Sequence, residues 1–321
     1  MTQSYDAMQF YAENYKIAAG WCLRPGVKLF LGDKNYRKCR FCGRSTPDTN
    51  FRNEAHAIPN CIGNKSLFVY YECDACNQRF GSGCENDFGN WSLPMRMMSR
   101  ICGKTGIPTV KQGPNGIWRI DASSTGLTVN IDAEEGFYER DELTKTLTFH
   151  LRRAPYRPAM IVQTMVKIAL SIMPDNEMAN FQCILEWIRP DTPALALAAP
   201  TPFIHNFIGG PMSSDLLTVA VLTRQSDNLP TWYSCLLLMY GHELLQMVIP
   251  SIERDQHLYG KQLDFPPFPL FPDDDSGAAR PIHSSRLPFS TMEFVKNDSF
   301  DLEIGYQEQR AGQRPSGSTP L

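Results

Sequence analysis

The sequence has no uninterrupted apolar run long enough to span a bilayer and no large net charge, and each absence excludes a class of protein. The most apolar stretch, "WYSCLLLMYGHELLQMVIP" at residues 232–250, is broken at its centre by Gly241, His242 and Glu243. Charged and polar groups at that depth are costly in lipid, so the stretch predicts two buried strands joined by a tight turn and no membrane association. The first twenty residues carry Asp6 and Glu13 among their apolar positions and lack the basic and apolar regions of an export signal, so a cytoplasmic location is expected. A formal net charge of −3 and a pI near 6.1 argue against a chain that binds nucleic acid over its whole surface, so any basic surface is local. No internal repeat is present.

What is present begins with cysteine. Ten cysteines in 321 residues, without an export signal, favour reduced thiols and metal over disulfides. Cys39 and Cys42 form one Cys-x-x-Cys pair, and Cys73 and Cys76 another. Two such knuckles converging on one ion supply the four thiolates of a structural Zn²⁺ site and clamp the segment between them. Free-thiol turns or a redox pair are the plainer alternative, which two pairs so close together disfavour. Cys22, Cys61, Cys84, Cys102, Cys183 and Cys235 lack partners at ligand spacing and are expected to be small buried residues.

The length suggests more than one domain. Residues 1–35 read as a lead-in, with a helix through "AMQFYAENYKIAA" and a strand at "VKLFLG". Residues 36–108 hold the cysteines and end in a helix interrupted near Pro94. Residues 117–265 carry the alternating segments "IWRIDA", "LTVNIDA" and "KTLTFHL", expected to form an antiparallel sheet covered by a buried helix at "RPAMIVQTMVKIALSIMP". Residues 266–321, Pro-rich with an acidic run, are expected to be a structureless tail. The fold class is therefore α+β: a small zinc-stapled module, then a larger domain of antiparallel strands and a buried helix.

Between the knuckles, "EAHAIPNCIGN" places His56 after a short strand, and the second knuckle is followed at once by Asn77 and a helical segment. The order strand, histidine, loop, strand, knuckle, helix is one in which a metal can sit between a β-hairpin and a helix. Cys39, Cys42, His56, Ile58, Pro59, Gly63, Asn64, Cys73, Cys76 and Asn77 resemble the zinc-knuckle HNH endonucleases. Phe80, Gly81 and Glu85 add a looser resemblance to a bacterial subgroup of that family.

The resemblance implies a ββα-metal fold that cleaves phosphodiester bonds in nucleic acid, DNA foremost, with one catalytic Mg²⁺ or Mn²⁺. It implies His56 as general base, Asn77 as a cation ligand, and Asn64 as the nearest match to the asparagine that orients the base loop. Many members carry an acid immediately before the histidine. Here Ala55 stands there, and Glu54, one residue earlier, falls on the same strand face as His56 and becomes the candidate cation ligand. Asp74 and Glu85 are further candidates to complete the shell. Plainer roles exist for each: a surface histidine, a helix N-cap for Asn77, a solvated helix position for Glu85.

Lys34, Arg37, Lys38, Arg40, Arg44, Arg52, Lys65, Arg79, Arg96, Arg100 and Lys104 crowd the module and make it locally basic, as phosphate contact requires. "HELLQ" at His242 begins like a zincin motif, but Gln246 stands where the second histidine would be. "GKTGIP" and "FIGGP" lack a P-loop frame, and His150, His205 and His257 lack partners at catalytic spacing. The second region shows no chemistry; it suits substrate recognition, homo-oligomer formation or response to an activating ligand, and the bacterial resemblance suggests antiviral defence. The rival to a nuclease is a non-catalytic zinc ribbon that binds nucleic acid or protein.

Overall fold

The computed structural model describes residues 2–112, 118–123, 126–130, 138–189, 201–210, 212–258, 260–269 and 281–305. Its first part contains α1 (Thr2–Asn14), β1 (Tyr15–Leu23), β2 (Leu29–Leu31), β3 (Ala55–His56), β4 (Leu67–Val69), α2 (Asp74–Ser82) and α3 (Cys84–Met98). Then come β5 (Val110–Gln112), β6 (Trp118–Ala122), β7 (Leu127–Asn130), β8 (Tyr138–Asp141), β9 (Thr146–Arg152), α4 (Pro158–Ile172) and α5 (Gln182–Ile188). The rest is β10 (Phe203–Ile208), β11 (Leu217–Arg224), β12 (Ser234–Tyr240), β13 (Glu243–Ile249), α6 (Ile252–Asp255), β14 (Ile282–Arg286) and β15 (Ser299–Gly305). The architecture is mixed α+β, and no helix among the described residues is long and apolar enough to cross a membrane.

The longest apolar stretch forms the expected hairpin, β12 against β13, inside a six-stranded antiparallel sheet ordered β1-β11-β12-β13-β10-β14. Gly241 turns it at φ +53°, a conformation that favours glycine, and a Cβ there would lie 2.4 Å from Ser99 Cβ. The missing side chain thus lets the turn sit on the end of α3, where Ser99 Oγ accepts the His242 N–H at 3.3 Å. "HELLQ" runs along a strand, and His242 Nδ1 lies 2.8 Å from the Ile208 carbonyl oxygen.

Every residue of α4 is buried, as its all-round apolar pattern predicts. Its neighbours are not those expected. The segments at 117–151 split between two small antiparallel sheets, β5-β6-β7 and β15-β9-β8. Leu93, Met97 and Met98 at the end of α3 cover their apolar side instead. α4 packs against α3 and β13, and one continuous core joins Phe41, Ile58 and Phe80 of the cysteine module to Ile161, Met165 and Ile168 of α4 and Leu236 and Leu245 of the large sheet. Burying each such side chain stabilises by roughly 1.5–3 kcal/mol. Residues 36–108 and 117–265 therefore share a core.

Three other expectations need correction. The predicted helix through "YKIAA" ends at Asn14, because the following residues pair as β1 with β11, and tertiary pairing overrides local propensity. The lead-in is thus an edge of the large sheet. Pro94 lies inside a continuous α3; the interruption falls at Gly83 (φ −104°, ψ −105°), between α2 and α3. The expected tail is not structureless at 281–305, where β14 pairs with β10 and β15 with β9, and Phe265 and Phe268 pack in the core beside Tyr11. Residues 270–280, with the acidic run, and 306–321 lie outside the described residues.

Candidate active site

Cys39, Cys42, Cys73 and Cys76 bring their sulfurs within 4.8 Å of one another, with Cys39 to Cys76 and Cys42 to Cys73 both at 3.7 Å. A tetrahedral ion with Zn–S bonds of about 2.3 Å requires sulfurs about 3.8 Å apart, so the donor set fits Zn²⁺. The Cys76 thiol beside Cys39 pulls the latter down to about 5, towards the thiolate that zinc binds. Of the other cysteines, Cys84 and Cys235 are buried as expected and Cys61 partly so, whereas Cys22, Cys102 and Cys183 are exposed.

The clamp displays a small sheet, β2-β4-β3, whose two faces differ. Ala55, Ala57, Leu67 and Val69 enter the core. The opposite face carries His56, its ring 4.5 Å from that of Phe68. Ala55 is 1% exposed, so an acid at that position would be driven into the core. Glu54 instead reaches solvent and pairs with Lys28 at 2.5 Å.

After His56 the chain is held by Asn64, fully buried. Its Nδ2 donates to the carbonyls of Ile58 (2.8 Å) and Leu67 (2.9 Å), and its Oδ1 accepts the N–H of Ser66 (3.1 Å) and Leu67 (2.9 Å). Asn64 spends all its hydrogen-bonding capacity on the loop that leads away from the histidine. It holds that loop in place.

The sequence gives no sign of what lies behind His56. Lys167, in the middle of α4 and wholly buried, donates from Nζ to the His56 carbonyl at 2.7 Å and lies 3.1 Å from Glu85 and 3.4 Å from Glu72. Burial opposes its charge, but the two carboxylates outweigh burial and hold it as an ammonium. Burial pushes Glu72 up to about 7, against the pull of Lys167. For His56, burial first and the Lys167 charge second lower the imidazole from 6.5 to about 4. The ring is neutral at physiological pH, and its buried Nδ1 has no hydrogen-bond partner. Both carboxylate oxygens of Glu72 are likewise buried without a hydrogen-bond partner.

The remaining candidates divide. Asn77 lies within α2, its N–H bonded to the Cys73 carbonyl at 2.9 Å, so Cys73 rather than Asn77 is the N-cap. Asp74 accepts the N–H groups of Arg52 (3.1 Å) and Asn53 (3.0 Å) and ties that loop to α2. Glu85 serves Lys167. Not all the module's cations face solvent: Arg40 donates to the carbonyls of Leu170 (2.6 Å) and Met173 (2.8 Å), and Arg96 to those of Cys61 (3.1 Å) and Gly89 (2.7 Å). Elsewhere, His150 pairs with Asp301 at 2.7 Å and His205 with Glu243 at 2.9 Å.

Among the described residues, no second group of three His, Cys, Asp or Glu donors converges as the four cysteines do. Mg²⁺ does not require one, since it is commonly held by one or two carboxylates with water and substrate phosphate. The exposed pair of Glu54 with Lys28 is worth about 1 kcal/mol at most.

No curated protein and no solved structure matches the chain. Residues 39–92, which include the four clustered cysteines and His56, match the family model for HNH endonucleases.

Proposed function

We propose that this domain hydrolyses phosphodiester bonds in DNA, with His56 as the general base that takes a proton from the attacking water. The observation that carries this reading is the state of His56: a neutral imidazole at the end of a strand, its backbone fixed by Lys167 and its departing loop by Asn64. Burial and the Lys167 charge disfavour a resting imidazolium, so the ring rests with its lone pair free, as a weaker base than an ordinary imidazole. A Mg²⁺ or Mn²⁺ ion held through Glu54 and Asn77 would supply charge stabilisation at the scissile phosphate. The larger region, which shares a core with the domain, would add binding surface for the substrate.

The test is incubation of the full chain with supercoiled plasmid, with and without Mg²⁺ or Mn²⁺. The expected result is nicking that depends on the added ion. Intact plasmid under all conditions, with a salt-sensitive gel shift, would favour a binding module instead.

A further inference from the structure

Beside the His56 face, between the end of β2 and the segment ahead of β3, lies a cleft whose lining includes Phe30, Lys34, Arg37, Arg52, Glu54 and Tyr70. Resting on the nuclease reading above, we infer that this cleft is a phosphate subsite, holding the nucleic-acid backbone next to the phosphate at His56 without reading its bases.

The charges support an anionic ligand. Arg37 is preset: Nε donates to the Lys34 carbonyl at 3.1 Å, Nη1 to the Phe51 carbonyl at 2.5 Å, and the guanidinium lies 5.4 Å from the Tyr70 ring centre. Those bonds leave part of its donor fork unspent. Lys34 and Arg52 are exposed, and among the described residues neither side chain has a hydrogen-bond or ion-pair partner. Of the two acids in the lining, Glu54 lies beside Lys28 and the buried Glu72 lies 3.4 Å from Lys167, against the three cations Lys34, Arg37 and Arg52. The lining thus carries more cations than acids, and each acid has a further cation beside it.

The rings decide against base stacking. Phe30 lies between Phe68, at 5.3 Å, and Tyr70, at 4.7 Å, both nearly parallel to it. Arg37 lies over the Tyr70 ring, and the His56 ring packs tilted against Phe68. Each ring is thus engaged by a neighbour, and the column serves as a wall and a brace for His56. Glu54 precedes His56 by two residues, about 6.6 Å of extended chain. A bound backbone could thus reach the cleft and the histidine together.

The experiment measures binding of fluorescein-labelled oligonucleotides of scrambled sequence to the full chain, without added divalent ion, over a range of salt. The double variant Lys34→Ala/Arg52→Ala is compared with the parent, and Lys16→Ala/Lys261→Ala serves as a charge-matched control outside the cleft. Both pairs are exposed, so neither change disturbs the core. The cleft variant should bind at least tenfold more weakly for every sequence, with a salt slope smaller by about two, while the control stays at parental affinity. Parental affinity and slope in the cleft variant, or an equal loss in the control, would overturn the subsite; if the parent still binds and nicks plasmid with Mg²⁺, the nuclease reading survives. A parent that neither binds nor nicks overturns both.

Discussion

The Nζ of Lys167 lies 2.7 Å from the backbone carbonyl oxygen of His56, and through that contact the buried helix α4 holds the strand end that presents the candidate base. The same ammonium balances Glu72 and Glu85. Lys167→Met removes the donor and leaves buried carboxylate charge uncompensated, so it should destabilise the protein by roughly 3–5 kcal/mol. Urea unfolding of the variant checks this. Cleavage by any folded fraction should fall as well, because the His56 backbone loses its anchor.

Asn64→Ala should act more locally. Four hydrogen bonds disappear, and the backbone groups of Ile58, Ser66 and Leu67 lose their partner in a dry site. The expected cost is about 3 kcal/mol, since an unsatisfied buried group costs more than a bond contributes. Zinc content should be unchanged, because the loop carries no cysteine of the cluster. Denaturation together with metal analysis separates the two effects.

For His56 the pH dependence has a definite sign. Its folded value of about 4 lies below the ordinary 6.5, so between these the unfolded chain takes up a proton that the folded protein refuses. Its contribution to stability is complete above pH 6.5 and is lost as pH falls towards 4, by about 3 kcal/mol at most. The stability of the parent relative to His56→Ala should decline across that window, a double difference that cancels the other titrating groups. If His56 is the general base, it should also set an acid limb of cleavage near pH 4 rather than 6.5.

Removing the staple should be more severe. Cys73→Ser takes one ligand from the cluster, and structural zinc contributes on the order of 10 kcal/mol in small metallo-domains. The variant should lose zinc and expose Phe41 and Phe80, which pack beside the cysteines. A variant with full zinc occupancy and parental stability would contradict a Cys₄ staple.

Local pattern explains which features could be read in advance. The knuckles, the hairpin at Gly241 and the buried helix each announce themselves within about twenty residues, through spacing, a turn residue or an apolar surface. Lys167 does not: a single lysine in an apolar helix finds its partners in Glu72, Glu85 and the His56 carbonyl, more than eighty residues away in sequence. β14 and β15 were hidden for a similar reason, because they add to strands far upstream in a segment whose composition resembles a tail. Arg40 and Arg96 show the same limit for charge, since a count of cations cannot tell a solvated side chain from one capping buried carbonyls.

Whether His56 takes the proton in a metal-dependent hydrolysis is read from single-turnover nicking of supercoiled plasmid by the parent and by His56→Ala. The variant should keep its zinc and its fold while its rate with Mg²⁺ falls by about 10²–10⁴-fold. A folded, zinc-loaded variant that nicks at the parental rate would contradict that role.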